Sequence, residues 1–171
     1  FNDNADWWFK RWAHNPRWCD IERRKTWRGI QSLVQREKIC AGQAFVILNY
    51  VPRNDMVGLT LQVMETEQLD RNLWKTQNGE REIKDGIEID DYGAAVAYWF
   101  YTKKHPLETF GGVGGESVRI PAERVLHLMR QDRPRQTHGI TRLAPVLAEL
   151  RHKKMHKTYT ILRARFEACG G

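Results

Sequence analysis

The sequence has few cysteines, no long apolar run and none of the familiar catalytic signatures. Cys19, Cys40 and Cys169 are three and far apart. An odd, sparse set argues against a disulfide framework and for a reducing compartment, with thiols that are buried or inert. No Cys-x-x-Cys or Cys/His cluster exists, so a structural zinc site lacks its ligands. The longest apolar candidates, Ala44–Val51 and Ala94–Tyr101, have the length of strands. A membrane-spanning helix needs roughly 20 residues, so no membrane partner is expected. The run Gly111–Gly115 lacks the Gly-Lys-Ser/Thr ending of a phosphate loop, and neither Gly-x-Ser-x-Gly nor His-Glu-x-x-His occurs. The chain is therefore not expected to be an enzyme. No catalytic residue, cofactor or metal is assigned. It begins at Phe1 with nothing resembling a signal peptide, and reads as a piece of something longer.

What is present is a globular composition, 41% hydrophobic and 29% charged, which excludes a disordered chain. The net charge of +7 is unevenly spread. Residues 1–41 carry nine Lys/Arg against five Asp/Glu, residues 42–118 seven against twelve, and residues 119–171 twelve against four. Such basic and acidic blocks can attract phosphates, or face one another within a chain or between subunits.

Residues 3–14 predict a short helix stopped by Asn15-Pro16. Ile21–Cys40 predicts a second, with Asp20 as N-cap. Five of the seven Trp lie in the first 27 residues. Their rings suit docking of the helical pair onto the rest of the domain, and a face so dense also suits another subunit. The middle reads as β: Ala44–Val51, Gly58–Met64, Gly86–Asp90, Ala94–Tyr101, Val118–Pro121 and Val125–Met129. Turns are expected at Pro52–Asp55 and Asn78-Gly79. Polar loops are expected over 65–85, His105–Gly115 and Gln131–Gly139. A last helix spans Pro145–Ala168. Its apolar stripe, Leu143, Leu147, Leu150, moves sideways before Met155, Tyr159, Leu162, Phe166. That shift predicts a bend between Leu150 and Met155, or two halves that face different neighbours. The class is α+β, with one antiparallel or mixed sheet, two N-terminal helices and a long C-terminal helix.

Three groups of residues are candidates for chemistry. Glu88, Asp90 and Asp91 could hold a divalent ion for a hydrolase. In an alternating strand, however, Glu88 and Asp90 lie opposite Ile87 and Ile89, on the expected solvent or subunit-facing side. His127 alternates with Leu126 and Leu128 and reads as a packed histidine. His138, His152 and His156 fall in basic, exposed surroundings. The third group is Arg151, Lys153, Lys154, Lys157, Arg163 and Arg165, clustered on the last helix. They could touch nucleic acid or a subunit, without any base-reading motif.

Four segments carry a family likeness: Glu37–Val46; Gly86–Gly93 with Val96-Ala97-Tyr98; Ile120–Leu128; and Arg133–Pro145. In content, order and spacing they resemble the portal proteins of lambda-type tailed phages. Gln43 stands where the family usually has an acid, Arg135 where Gly is common and His138 where Arg is common. The resemblance implies a single wing-like domain. Residues 1–41 would form its helical part, 42–139 its β-rich part and 140–171 a basic helix toward the stem. It implies a closed head-to-tail ring of about a dozen subunits at the capsid vertex. The partners implied are the terminase large subunit, capsid and scaffold proteins, head-completion proteins, and double-stranded DNA passing non-specifically. It also implies assembly in the host cytoplasm and a place in the virion. The alternative is a free-standing, non-specific nucleic-acid-binding domain that uses the basic last helix.

Overall fold

The computed structural model describes residues 2–51, 58–75, 82–101 and 116–169. The turn at Pro52–Asp55, the Asn78-Gly79 turn and the Gly111–Gly115 tip lie outside these residues. Helix α1 covers Asn2–His14. Asn15-Pro16 both stops it and starts another: the Asn15 side chain accepts a hydrogen bond from the Arg17 amide, and Pro16 opens α2, Pro16–Cys19. Proline suits a first turn, where its missing N–H is no loss.

The second long helix, α3, runs Trp27–Cys40 and starts later than Asp20 predicts. Asp20 does act as a cap, but of a loop. Its carboxylate accepts from the amides of Glu22, Arg24 and Lys25 at 3.2, 2.9 and 2.8 Å. These bonds hold a turn in which Arg23 has φ 62°, outside any helix. Thr26 is the true N-cap, accepting from Gly29 N.

The strands divide between two antiparallel sheets rather than one. Strands β1 (Gln43–Tyr50), β2 (Leu59–Met64) and β7 (Val125–Met129) form the first, in the order β2-β1-β7. Strands β3 (Glu82–Lys84), β4 (Ile87–Ile89), β5 (Ala95–Tyr101) and β6 (Ser117–Pro121) form the second, in chain order. The stretch 65–85, expected as loop, thus contributes a short strand and a 3₁₀ turn at Thr66–Gln68.

Strand β1 is central, and its alternation serves two cores. Phe45 and Ile47 point to the second sheet and pack with Met64, Leu69, Ile87 and Phe100. Val46 points the other way, to Trp12, Ala13, Cys19 and Ile30 on the helices, beside Leu61. Three layers result: helices, first sheet, second sheet. Trp12 is buried and donates its indole N–H to Leu59 O at 2.8 Å, which ties α1 to β2. The docking of the aromatic face is partial, because Trp7, Trp8 and Phe9 stay about half exposed.

The β4–β5 hairpin forms as expected, with Ile87 and Ile89 buried in the core. Asp90 shapes its turn by accepting from Tyr92 N and Ala94 N at 3.0 and 2.8 Å. Glu88 departs from expectation, because it is buried rather than solvent-facing. The cause is the extent of the sheet. Strand β6 brings Arg119 across β5, and the guanidinium grips both Glu88 oxygens at 2.7 and 2.9 Å. Ala97 pairs with Glu88 from the intervening strand, and its lone methyl leaves room for the reach. A buried carboxylate is tolerable when paired in this bidentate way.

Candidate functional site

After β7 the chain has no regular structure until α4, Ala144–Cys169, so the connector decides where that helix starts. The Gln136 carboxamide organises its first half. Its oxygen accepts from Asp132 N and Arg133 N, and its nitrogen donates to His138 O at 2.6 Å. The second half lies on the α3–β1 junction with no space to spare. A Cβ on Gly139 would come within 2.1 Å of Gly42 O, and one on Gly42 within 2.4 Å of the Ile140 carbonyl carbon. Gly42 also has φ +88°, a conformation that favours glycine. Thr141 Oγ1 donates to Ile39 O at 2.8 Å and accepts from Leu143 N at 3.1 Å, one bond holding α3 and the other the approach to α4.

Beneath the connector lies a buried polar network centred on Gln43. Gly139 N donates to Gln43 Oε1 at 2.8 Å. His127 Nε2 lies 3.1 Å from the same oxygen, and His138 Nδ1 lies 3.3 Å from Gln43 Nε2. On its other side His127 Nδ1 meets the Tyr98 hydroxyl at 3.3 Å, and the ring stacks on Phe45 at 4.4 Å. His127 is thus the packed histidine the alternation suggests. Burial pushes its pKa down to about 4, helped by the nearby His138. Tyr98, in the same core, is pushed up to about 12 by burial. His138 is not exposed as expected. Its side chain is 17% exposed, its Nε2 stands 3.6 Å from Asp85 Oδ2, and burial lowers its pKa.

Every described side chain of α4 is exposed. The hydrogen-bonded helix runs without a break through 150–155, and neither half packs on the described body, so no shared surface accounts for the shifted stripe. At about 100° per residue, Val146, Leu147 and Leu150 share one face, and Met155, Tyr159, Leu162 and Phe166 share the next. The basic candidates divide in the same way. Lys153, Lys154, Lys157 and Arg165 fall on the face that the first apolar group leaves behind. Arg151 lies at its edge, and Arg163 lies on the far side, paired with Glu167 at 2.7 Å. His152 and His156 are exposed, and no group of three or more His, Cys, Asp or Glu gathers as a metal site among the described residues. The acidic trio Glu88, Asp90 and Asp91 is split by the Glu88–Arg119 pair and the Asp90 turn.

A second exposed feature is an apolar groove of about 410 Å³ lined by Trp8, Phe9, Trp12, Trp27, Leu59 and Leu126, among others. Of the thiols, Cys19 is buried, and Cys40 and Cys169 are exposed. No described helix is long and apolar enough to cross a membrane.

Comparison with known proteins fits this arrangement. The family model described as phage portal protein, lambda family, matches residues 1–171. The chain belongs to the lambda family of phage portal proteins. It is 29% identical over 141 residues to a protein of Halomonas phage phiHAP-1 named "Probable portal protein". The match covers 78% of this chain and 25% of that relative, so the chain spans about a quarter of the relative's length.

The four segments that carry the portal likeness meet in space at one point. Gln43 comes from the first, Tyr98 from the second, His127 from the third, and His138 and Gly139 from the fourth. Reading the sequence alone marks Gln43 as a departure from the family pattern but not as the centre of a network, because its partners are 84 to 96 residues away. The available signals were Gly42, placed where α3 must end, and Gly139, placed where the connector must pass close to it.

Proposed function

We propose that this chain is the wing region and the start of the stem of a portal subunit. Residues 1–41 and 42–139 form the body and 140–171 the helix directed toward the stem. In this reading copies of the full-length protein close into a head-to-tail ring at the capsid vertex. Double-stranded DNA passes through the ring during packaging and ejection, and the terminase docks on it. The ring assembles in the host cytoplasm with capsid, scaffold and head-completion proteins and remains in the virion.

The observation that carries the reading is α4. A helix of 26 residues with exposed Val146, Leu147, Leu150, Met155, Leu162 and Phe166 lacks the covered apolar face a stable lone helix needs. Two apolar faces about 140° apart suit a helix with a neighbour on each side, as in a closed ring. The basic residues Lys153, Lys154, Lys157 and Arg165, which continue the azimuth of the first apolar face further along the helix, suit passing phosphates without reading bases.

Negative-stain electron microscopy of the full-length reading frame tests this. Rings with a central hole wide enough for a duplex are expected. Dispersed particles at assembly-competent concentrations would sink the proposal. The four-residue basic face favours one other reading, a free-standing domain that holds nucleic acid. That reading requires tight binding to duplex DNA that weakens steeply with salt, roughly 0.9 log units per phosphate contact for each tenfold rise. The ring reading expects weak binding by the isolated chain.

A further inference from the structure

The hydrogen bonds of Gln43 leave one arrangement of protons. A backbone amide can only donate, so the Gly139 N–H fixes Oε1 as the carboxamide oxygen, at 2.8 Å. His127 Nε2, 3.1 Å from that oxygen, must then carry a hydrogen. Burial keeps this ring neutral, so its Nδ1 keeps a lone pair, which accepts from the Tyr98 hydroxyl at 3.3 Å. The other end of Gln43 is an NH₂ group, 3.3 Å from His138 Nδ1, so that nitrogen must be bare. The hydrogen of His138 therefore sits on Nε2, toward Asp85. Both imidazoles are neutral, each in a single tautomer.

This arrangement has no slack. A proton added to His138 enters at Nδ1 and places N–H against NH₂. Turning the carboxamide over would give that N–H an acceptor. It would also point NH₂ at the Gly139 N–H, opposing donor to donor there, even if His127 moved its hydrogen to Nδ1 and donated to the Tyr98 hydroxyl. No orientation of Gln43 satisfies all three neighbours once His138 is charged, and buried donors left unpaired are costly. The connector depends on these bonds, because Gly139 follows His138 directly and its amide is held by the same carboxamide. Two residues further on, Thr141 makes the last bond to α3 before the approach to α4.

We propose that Gln43 and His138 form a proton-sensitive latch: neutral His138 keeps the connector seated on the α3–β1 junction, and its protonation unseats the connector and frees the root of α4. The surroundings set how readily this happens. Asp85, in the turn between β3 and β4, draws the proton toward His138. The hydrogen bond to the Lys84 backbone favours it too, while burial above all, and then Arg71, oppose it. The opposing influences win, which keeps the latch closed near neutrality and opens it under acid. The latch is a property of this chain alone and does not rest on the ring.

The amide of Gly139 is the natural reporter. Its exchange, followed by NMR in the full 171-residue chain and corrected for intrinsic rate, should be compared at about pH 7.5 and about pH 5, either side of the ordinary imidazole range. Protection at Gly139 is expected to fall at least tenfold, while the amides of Phe45 to Leu48 in the central strand hold theirs. His138→Asn keeps an acceptor near the place of Nδ1 but cannot be protonated, so its Gly139 protection should not change with pH. Imidazole ¹⁵N shifts should show His138 gaining its second proton over the range in which protection is lost. A Gly139 protection that stays constant while the His138 ¹⁵N shifts report the second proton, with the pH lowered further if they do not yet do so at about pH 5, would overturn the latch. So would a loss shared equally by the central strand, or one that persists unchanged in His138→Asn. Should that variant not fold, the wild-type comparison of Gly139, the central strand and the His138 shifts decides the matter.

Discussion

Arg135 has φ 57°, the left-handed region that a residue with a Cβ enters at a cost. The family pattern commonly has Gly there, and the backbone explains why. Against the strain, Arg135 makes only a long contact from its guanidinium to Asp91 O, at 3.5 Å. Arg135→Gly should therefore leave stability unchanged or raise it by up to ~1 kcal/mol, measured by urea denaturation. A clear loss would mean that the guanidinium matters more than its geometry suggests. The other two departures from the family pattern, Gln43 and His138, touch each other. A neutral amide and imidazole thus stand where the pattern has an acid and an arginine. His127 allows a sharper test at the same site. Its folded pKa lies near 4, below the ordinary 6.5. Between those values the unfolded chain binds a proton that the folded chain refuses. The contribution is therefore fully present above about pH 6.5 and is lost as pH falls toward 4, by roughly 3 kcal/mol at most. Denaturation midpoints at about pH 7, 5 and 4 should fall in that order, and His127→Gln should flatten the trend. A flat wild-type profile would show that the ring is not held neutral by burial.

At the scale of elements, the Glu88–Arg119 grip across Ala97 binds β4 to β6 over an intervening strand. Arg119→Ala takes the bidentate guanidinium away from the buried carboxylate and should cost about 2 kcal/mol. Replacing both groups by leucine should recover most of that loss, because an apolar pair avoids the desolvation of two charges. If the double variant is no better than the single one, the pair is needed for register rather than for compensation. The same pair shows what was legible beforehand. Alternation placed Ile87 and Ile89 inward correctly, since that follows from two-residue periodicity alone. It sent Glu88 to solvent, because periodicity within one hairpin cannot reveal a fourth strand that covers the other face. Likewise Asp20 announces a cap, but a carboxylate gathers amides equally well in a loop, and only Thr26 marks the start of α3. Existence and order of six strands were readable, while β3, three residues inside the polar stretch 65–85, was not. Their division into two sheets depends on pairings such as β1 with β7, which no local pattern encodes.

For the whole molecule, the contrast is between a body with two cores and a helix outside both. Residues of α1–α3 and β1–β7 bury one another, and α4 buries none of its described side chains. The six basic candidates were legible as charge, and their division between faces followed from spacing. That the helix would stand free of the body was not legible, because an apolar stripe has the same pattern whether its cover lies within the chain or on a neighbour. A helix of 26 residues without packing is marginal in water, so its order should depend on association. The helical signal in circular dichroism is therefore expected to rise with protein concentration, together with mass by sedimentation. Shortening the chain at Leu143 should abolish that concentration dependence. It should also leave the melting temperature of the body within a few degrees, the change expected when no core contact is lost. Replacing Leu147, Leu150, Leu162 and Phe166 by serine in the intact chain separates the two apolar faces from the basic one. Loss of association with unchanged body stability would assign those faces to contacts between copies. If the body melts far lower without α4, the helix folds back onto it in solution and the exposed stripes belong to the chain itself.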